Sequence, residues 1–524
     1  MLFYFLRIRI LNRKQMLVKT FSSSIIGVTG YIITIEVNIE IGINFYMVGL
    51  PDNSVKESQQ RIRKAIINNK LKFPGKEITI NMAPANLKKE GSHFDLSIAI
   101  GILASSNQLN KSKLKQYIIV GELSLDGTVQ KSKGVLAMAI AARKNGFEGI
   151  ILPAENLIEV SLIDNLKVIG VNSLVDVIDF FNNKNHRVTL KKENLKYKDK
   201  IFSPDFKEVK GQKYAKRAFE IAATGNHNIL LIGPPGSGKT MLAKCIGGIL
   251  PNMKKSEAIE TAKIYSISNS SFFNTKNIYK RPFRKPHHSI SNTALVGGGI
   301  NPKPGEISMA HNGILFLDEL AEFKKSVLEV LRQPLEDQQI LISRAKYSEI
   351  FPANFMLIAA MNPCPCGNYT HPSKDCKCSP GILNRYLSKI SGPLLDRIDM
   401  HIEVDPVSFY DLNSNEKNET SLEIKRRVEK NRKTQILRFN NKENINYNSR
   451  MNTKELKAYC CLDKSSLNLI KNAMEKLNLS ARSYNRILKV SRTIADMDNK
   501  KNIEASHIAE AIQYRTLDRI NWAA

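Results

Sequence analysis

The chain predicts an α/β fold centred on a phosphate-binding parallel sheet, with another mixed region before it and a helical region after it. Three observations predict this. Residues 233–240 read G-P-P-G-S-G-K-T, between an apolar run at 228–232 (N-I-L-L-I) and a helix-like run at 241–250 (M-L-A-K-C-I-G-G-I-L). Residues 314–320 read I-L-F-L-D-E-L, a second buried-strand pattern, ending in two carboxylates. Strand-like and helix-like runs alternate upstream, whereas downstream the apolar residues fall at helical spacing.

The first string fits a phosphate loop. Gly233, Gly236 and Gly238 let backbone N–H groups turn inward, and Pro234, Pro235 and Ser237 complete the loop. The run before it suits a fully buried strand, and the run after it suits a helix whose N-terminus faces phosphate. Lys239 is expected at the β/γ-phosphates of ATP and Thr240 at its magnesium ion. At the second string, Asp318 is expected to hold magnesium through water and Glu319 to polarise the attacking water. Many strands end in acidic turns; the pairing with a phosphate loop gives these two carboxylates their meaning.

Upstream, residues 31–41 and 77–82 read as strands, and 54–68, 95–105 and 135–144 as helices. Downstream, 422–437, 453–460, 465–477, 481–497 and 505–514 read as helices. The expected divisions are a tail or mis-called start at 1–20, a first domain at 21–184, a linker at 185–205, the core at 206–405 and a helical domain at 406–524. Met16 opens a more ordinary start, M-L-V-K-T-F, and Arg7 and Arg9 interrupt the apolar N-terminus, against a signal peptide. No stretch reaches the length of a membrane span, and the cytoplasm is the expected compartment.

Of 524 residues, 42% are hydrophobic and 24% charged, as in globular proteins, and the net charge is +29. Such a charge suits an anionic partner such as nucleic acid; it also suits a Lys- and Asn-rich coding bias with solvated lysines. Basic clusters stand at Lys280, Arg281, Arg284 and Lys285, and at Arg426, Arg427, Lys430, Arg432 and Lys433. Four of seven cysteines, Cys364, Cys366, Cys376 and Cys378, form a short C-x-C…C-x-C loop with His371 inside it. They suit a closed structural zinc site or reduced surface thiols. Cys245, Cys460 and Cys461 are expected in the core. His287 and His288 lack a third ligand nearby and are expected to make structural hydrogen bonds.

Further strings carry a family resemblance. V-K-G-Q at 209–212 resembles the adenine-pocket box of AAA+ ATPases, which implicates Gly211 and Gln212. M-L-I-A-A-M-N at 356–362 resembles the sensor-1 strand, ending at Asn362. Arg397 resembles an arginine finger given to a neighbouring subunit, and Arg482 a sensor-2 arginine; for each, a surface ion pair is the alternative. R-K-P-H-H-S-I-S (284–291), A-L-V-G-G-G (294–299), P-K-P-G-E-I-S (302–308) and N-P-C-P-C-G (362–367) are similar to the YifB/ComM family of magnesium-chelatase-like AAA+ proteins.

The resemblance runs from Met16 to the C-terminus. It implies an AAA+ P-loop core, a C-terminal helical lid, a hexameric homo-oligomer, and DNA with other recombination proteins as partners. Segments 280–305 and 339–352 resemble pore hairpins, with Arg344 and Lys346 at alternate positions, on one face and available to phosphates. Segments 88–99 and 121–129 resemble the Lon-type peptidase domain, a ribosomal S5-like α+β fold. Against its serine and lysine positions stand His93 and Leu136; Ser92 and Lys133 are out of register. A shared fold without peptidase chemistry is expected.

Overall fold

The structure is a computed structural model describing residues 17–183, 204–268, 278–299, 302–343, 348–369, 371, 373–413, 418–440, 445–477 and 479–515. Two compact units emerge, one comprising the described residues up to 183 together with 255–268 and 278, the other those of 204–254 and 279–515. Among the described residues, no helix is long and apolar enough to cross a membrane.

The first unit carries strands β1 (Val18–Ile26), β2 (Thr29–Glu40), β3 (Phe45–Val48), β4 (Glu77–Ala83), β5 (Tyr117–Ile119), β6 (Gly149–Pro153) and β7 (Lys167–Val171). They form one mixed sheet in the order β3-β4-β2-β1-β5-β6-β7. β1 and β2 pair antiparallel with Phe21 opposite Thr34, and β5, β6 and β7 run parallel. Helices α1 (Asn53–Asn68), α2 (Asp95–Ser105) and α3 (Val135–Lys144) pack with this sheet, close to the expected bounds. Every residue of α2 is buried, which excludes the polar face a surface helix keeps. Gly101 makes room for β2: a Cβ there would stand 2.7 Å from Val37 Cγ2. α4 (Leu174–Phe181) closes the unit behind a Ser173–Asp176 capping box, a device worth about 1 kcal/mol.

Two boundaries differ from expectation. β1 begins at Val18, inside the segment expected as tail, because Val18 and Thr20 are buried and paired with β2. The second difference is an excursion from the expected continuous core. The chain leaves the second unit after Lys254, and helix α5 (Lys255–Ser268) packs against α3 of the first. Ala258, Thr261, Ala262, Ile264 and Tyr265 are its buried positions. Ser266 fixes its end, with its carbonyl accepting from Gly134 N at 3.1 Å and its hydroxyl donating to Glu159 at 2.9 Å.

In the second unit, β8 (Ile229–Ile232), β9 (Phe283–Arg284), β10 (Ile314–Leu317), β11 (Met356–Met361) and β12 (Met400–Glu403) form an all-parallel sheet in the order β9-β10-β11-β8-β12. β8, β10 and β11 are buried throughout, as their unbroken apolar runs require. Helices α6 (Lys213–Gly225) and α7 (Lys239–Ile249) flank β8 in sequence, and α8 (Pro380–Leu387) comes after β11.

The C-terminal helices are α9 (Ser421–Phe439), α10 (Thr453–Tyr459), α11 (Lys464–Leu477), α12 (Ala481–Met497) and α13 (Ala505–Gln513). Their Ile424, Val428, Ile487, Ile494 and Ile508 join Leu231, Phe219 and Ile246 in one apolar core. The hairpin expected at 339–352 forms, with Gln339–Ser343 antiparallel to Ser348–Pro352. Arg344 and Lys346 lie outside the described residues, as does most of the expected linker.

Candidate nucleotide site

Parallel strands place their C-terminal ends, and the loops that leave them, along one edge, where α/β sheets gather ligands. β8 ends at Ile232 and opens into the phosphate loop; β10 ends before Asp318; β11 ends before Asn362. The register aligns these ends: Ile232 pairs with Met361, and Leu317 with Ala359. Gly233 N donates to Met361 O at 3.3 Å, tying the first loop residue to the end of β11. Gly236 and Gly238 have φ of 82° and 86°, a left-handed conformation that favours glycine. Gly238 is also the N-cap residue of α7, so the turn that shapes the loop also starts the helix.

Lys239 is 9% exposed, and its amine donates to Gly233 O at 2.7 Å, Pro234 O at 2.8 Å and Asn362 Oδ1 at 3.2 Å. Burial pushes its pKa down to about 8, partly opposed by Asp318. Thr240 Oγ1 donates to Asp318 Oδ2 at 3.0 Å. A hydroxyl and a carboxylate this close offer the hard oxygen donors that magnesium takes. Glu319 comes next with φ 54°, a left-handed conformation uncommon for a side chain this large and costing about 1–3 kcal/mol. Residues 233–240, Asp318, Glu319 and Asn362 are thus brought to one edge. Gly211 and Gln212, also at positive φ, precede α6, and Gln212 Nε2 donates to Asp405 O two residues past β12.

Two residues of the R-K-P-H-H string reach this site, which the motif reading missed. Lys285 Nζ donates to Asp318 Oδ2 at 2.8 Å, and His288 Nδ1 lies 3.4 Å from Glu319 Oε2. Neighbouring Arg284 makes a two-pronged pair with Glu306, at 2.7 and 2.6 Å. Strand pairing is what brings them in: β9, the edge strand beside β10, carries residues 285–288 to Asp318 and Glu319. His287 bonds Ser289 at 2.8 Å, a local structural contact.

The two arginines have different surroundings. Arg397 is 8% exposed, donates to Pro393 O at 2.6 Å and pairs with Glu336 at 2.8 Å. Arg482 is exposed in the first turn of α12. One turn on, Arg486 reaches Asp399 Oδ1 at 2.7 Å. Asp399 is fully buried; burial opposes its ionisation, yet Arg486 and His227 hold its carboxyl far below the usual range. Its other oxygen accepts from Asn228 N at 2.9 Å, and the Asn228 side chain bonds Arg397 O and Leu357 N. The start of the sheet, the Arg397 turn and α12 therefore share one buried polar node.

The four cysteines of the C-x-C…C-x-C loop converge, with all four sulfurs within 4.8 Å of one another. His371 stands outside that group and accepts from Ser373 N at 3.1 Å. Cys245 and Cys460 are buried as expected, but Cys461 is exposed and corrects the sequence reading. It lies just past the end of α10, and its thiol rests against Lys457 O rather than in the core.

At the peptidase-like corner of the first unit, His93 bonds Ser23 O at 2.9 Å, and burial lowers its pKa to about 4. Leu136 is buried, Lys133 is exposed and Ser92 Oγ donates to Glu122.

The sheet and the loop at its edge define a phosphate-loop nucleotide-binding protein. Family models match it along its length: "Magnesium chelatase, subunit ChlI" over 205–412, "Subunit ChlI of Mg-chelatase" over 35–156 and "Magnesium chelatase, subunit ChlI C-terminal" over 418–515. The chain is 46% identical to "Competence protein ComM" of Haemophilus influenzae, over 95% of this chain and 97% of that protein. It is 43% identical to "Uncharacterized protein YifB" of Salmonella typhimurium, over 94% and 96%. "Lon protease 2" of Bacillus subtilis is 27% identical over 38% of this chain and 42% of its own length. The chain belongs to the YifB/ComM family of magnesium-chelatase-like AAA+ proteins.

Proposed function

We propose that the chain is a cytoplasmic, ring-forming ATPase, hexameric when active, that couples ATP hydrolysis to DNA remodelling through branch migration in recombination. The observation that carries the ATPase reading is the meeting of Lys239, Thr240, Asp318, Glu319 and Asn362 at the ends of adjacent parallel strands. In this reading Lys239 and the loop amides bind the β- and γ-phosphates, and Gly211 and Gln212 border the adenine. Thr240 and Asp318 hold magnesium, which when bound neutralises developing phosphate charge. Glu319 takes the proton of the attacking water and Asn362 orients that water. Arg397 serves a neighbouring subunit after leaving Glu336, and Arg482 contacts the nucleotide from a C-terminal helical lid. The four cysteines hold a structural zinc ion, whose closed tetrahedral site leaves no position for substrate.

The DNA part of the reading draws on family membership, on the printed name of the competence relative and on the net charge of +29. It places Arg344 and Lys346 at the ring pore and admits other recombination proteins as partners. The peptidase-like corner is assigned no peptidase role. A second reading, an ATPase subunit of a metal chelatase, is favoured by the ChlI models; a third is a protein-remodelling ATPase.

ATP turnover and four-way-junction strand exchange by the purified chain, with and without single-stranded and branched DNA, separate the three. Strong stimulation by DNA and exchange lost in Lys239→Ala are the expected results. An absence of DNA binding at moderate salt removes the DNA reading and leaves the other two.

A further inference from the structure

The four-cysteine loop touches the nucleotide site at two places. It leaves β11 directly after Asn362, whose side chain accepts from Lys239 at 3.2 Å. It returns into α8, where the hydroxyl of buried Tyr386 donates to Asn362 O at 3.2 Å. Between these points Gly367, at φ 81°, folds back so that its N–H donates to Cys364 O at 3.0 Å. A Cβ at Gly367 would stand 2.5 Å from Cδ of Pro235, the second proline of the phosphate loop. The cysteine loop therefore leans on one arm of the nucleotide site and brackets another.

Its sulfur geometry suits one ion. Sγ separations are 3.2 Å between Cys364 and Cys366, 3.6 Å between Cys366 and Cys376, and 3.7 Å between Cys364 and Cys376. A tetrahedron with Zn–S of about 2.3 Å has S–S edges of about 3.8 Å. Four thiolates also favour zinc over magnesium, which prefers oxygen donors.

We propose that zinc in the four-cysteine loop positions the nucleotide site, by seating Gly367 against Pro235 and fixing the backbone of Asn362. The inference rests on the zinc and ATP assignments above. Metal binding removes the conformational freedom of a long loop otherwise held by a few hydrogen bonds. The coupling is reciprocal: whatever factor zinc adds to nucleotide affinity, nucleotide adds to zinc affinity.

The test uses the full chain, with zinc content read by atomic absorption and affinity by fluorescent ADP with magnesium. About one zinc per chain is expected, and stripping it with a chelator raises the Kd about tenfold, reversed by added zinc. Gly367→Ala keeps all four thiols; it is expected to retain zinc and weaken ADP binding by about tenfold, even if stripped protein proves too unstable to assay. Equal affinity in zinc-loaded protein, stripped protein and Gly367→Ala overturns the coupling and leaves both assignments standing. Protein that binds ADP but retains no zinc overturns the zinc assignment and this inference with it. Protein that retains zinc but binds no ADP overturns the nucleotide assignment instead.

Discussion

At the edge of the five-stranded sheet, Lys239 meets Asn362 at 3.2 Å and Thr240 meets Asp318 at 3.0 Å, residues that lie far apart in sequence. In the first unit, the two positions that resemble a serine–lysine pair hold partly buried His93 and buried Leu136, and Ser92 donates to Glu122 instead. Both regions carry strings resembling catalytic families, but only at the sheet edge do the side chains at the family's site positions lie within hydrogen-bond distance of one another. Likeness of sequence carries a fold into both regions. Chemistry arises only where donor and acceptor arrive within bonding distance.

The largest expected effect divides binding from turnover at the sheet edge. Lys239→Ala removes the cation proposed to bind phosphate and is expected to abolish measurable ADP and ATP binding in a fluorescence titration. Glu319→Gln keeps the shape of the side chain but not its basicity. It should bind ATP about as well as the parent while hydrolysis falls about 10²–10⁴-fold. Undiminished turnover in Glu319→Gln would move the catalytic base elsewhere, with His288, 3.4 Å from that carboxylate, the first alternative.

A second effect tests the buried node behind the site. Arg486→Met leaves Asp399 ionised, fully buried and without its cation, at an expected cost of about 3–5 kcal/mol in denaturant unfolding. Arg482→Met, four residues earlier and exposed, should leave stability unchanged within about 0.5 kcal/mol. If it lowers ATP turnover while stability holds, the two arginines of one helix divide structure from function.

How much of this is legible in the sequence depends on range. The phosphate loop, the D-E strand and the helix bounds at 95–105 and 135–144 come from local periodicity and turn chemistry, and they match the structure. Lys285 and His288 are not legible, because their meeting with Asp318 and Glu319 depends on β9 pairing beside β10. Strand order is a tertiary fact that no local window contains. The same limit hides α5: no local window shows that its buried positions belong with α3 in the first unit. Cys461 is misplaced by sequence because the usual burial of cysteine does not tell which of two adjacent cysteines just past α10 turns inward.

A smaller effect is a pH dependence at Lys239. In the proposed reading only the charged amine binds phosphate, and burial has lowered its pKa to about 8. The charged form is therefore nearly complete below about pH 7, about half at pH 8 and depleted above it. ADP affinity should be flat from about pH 6.5 to 7.5, then weaken by roughly tenfold per unit above about pH 8, as proton uptake becomes part of binding. A flat profile to about pH 10 would mean that Lys239 keeps an ordinary lysine pKa.

The smallest expected effect lies at the other corner. Ser92→Ala removes a hydroxyl that donates to Glu122 on a part-buried surface, at a cost of about 1 kcal/mol in stability, read as a small shift in Tm. ATP turnover should stay within about twofold of the parent, since the substitution leaves Lys239, Asp318 and Glu319 untouched. Hydrolysis of unfolded casein is the sharper measurement. Cleavage by the parent that disappears in Ser92→Ala would show that the hydroxyl is a working nucleophile, with Glu122 rather than lysine as its base. Equal absence of cleavage in both proteins would leave the contrast between the two corners as the structure draws it.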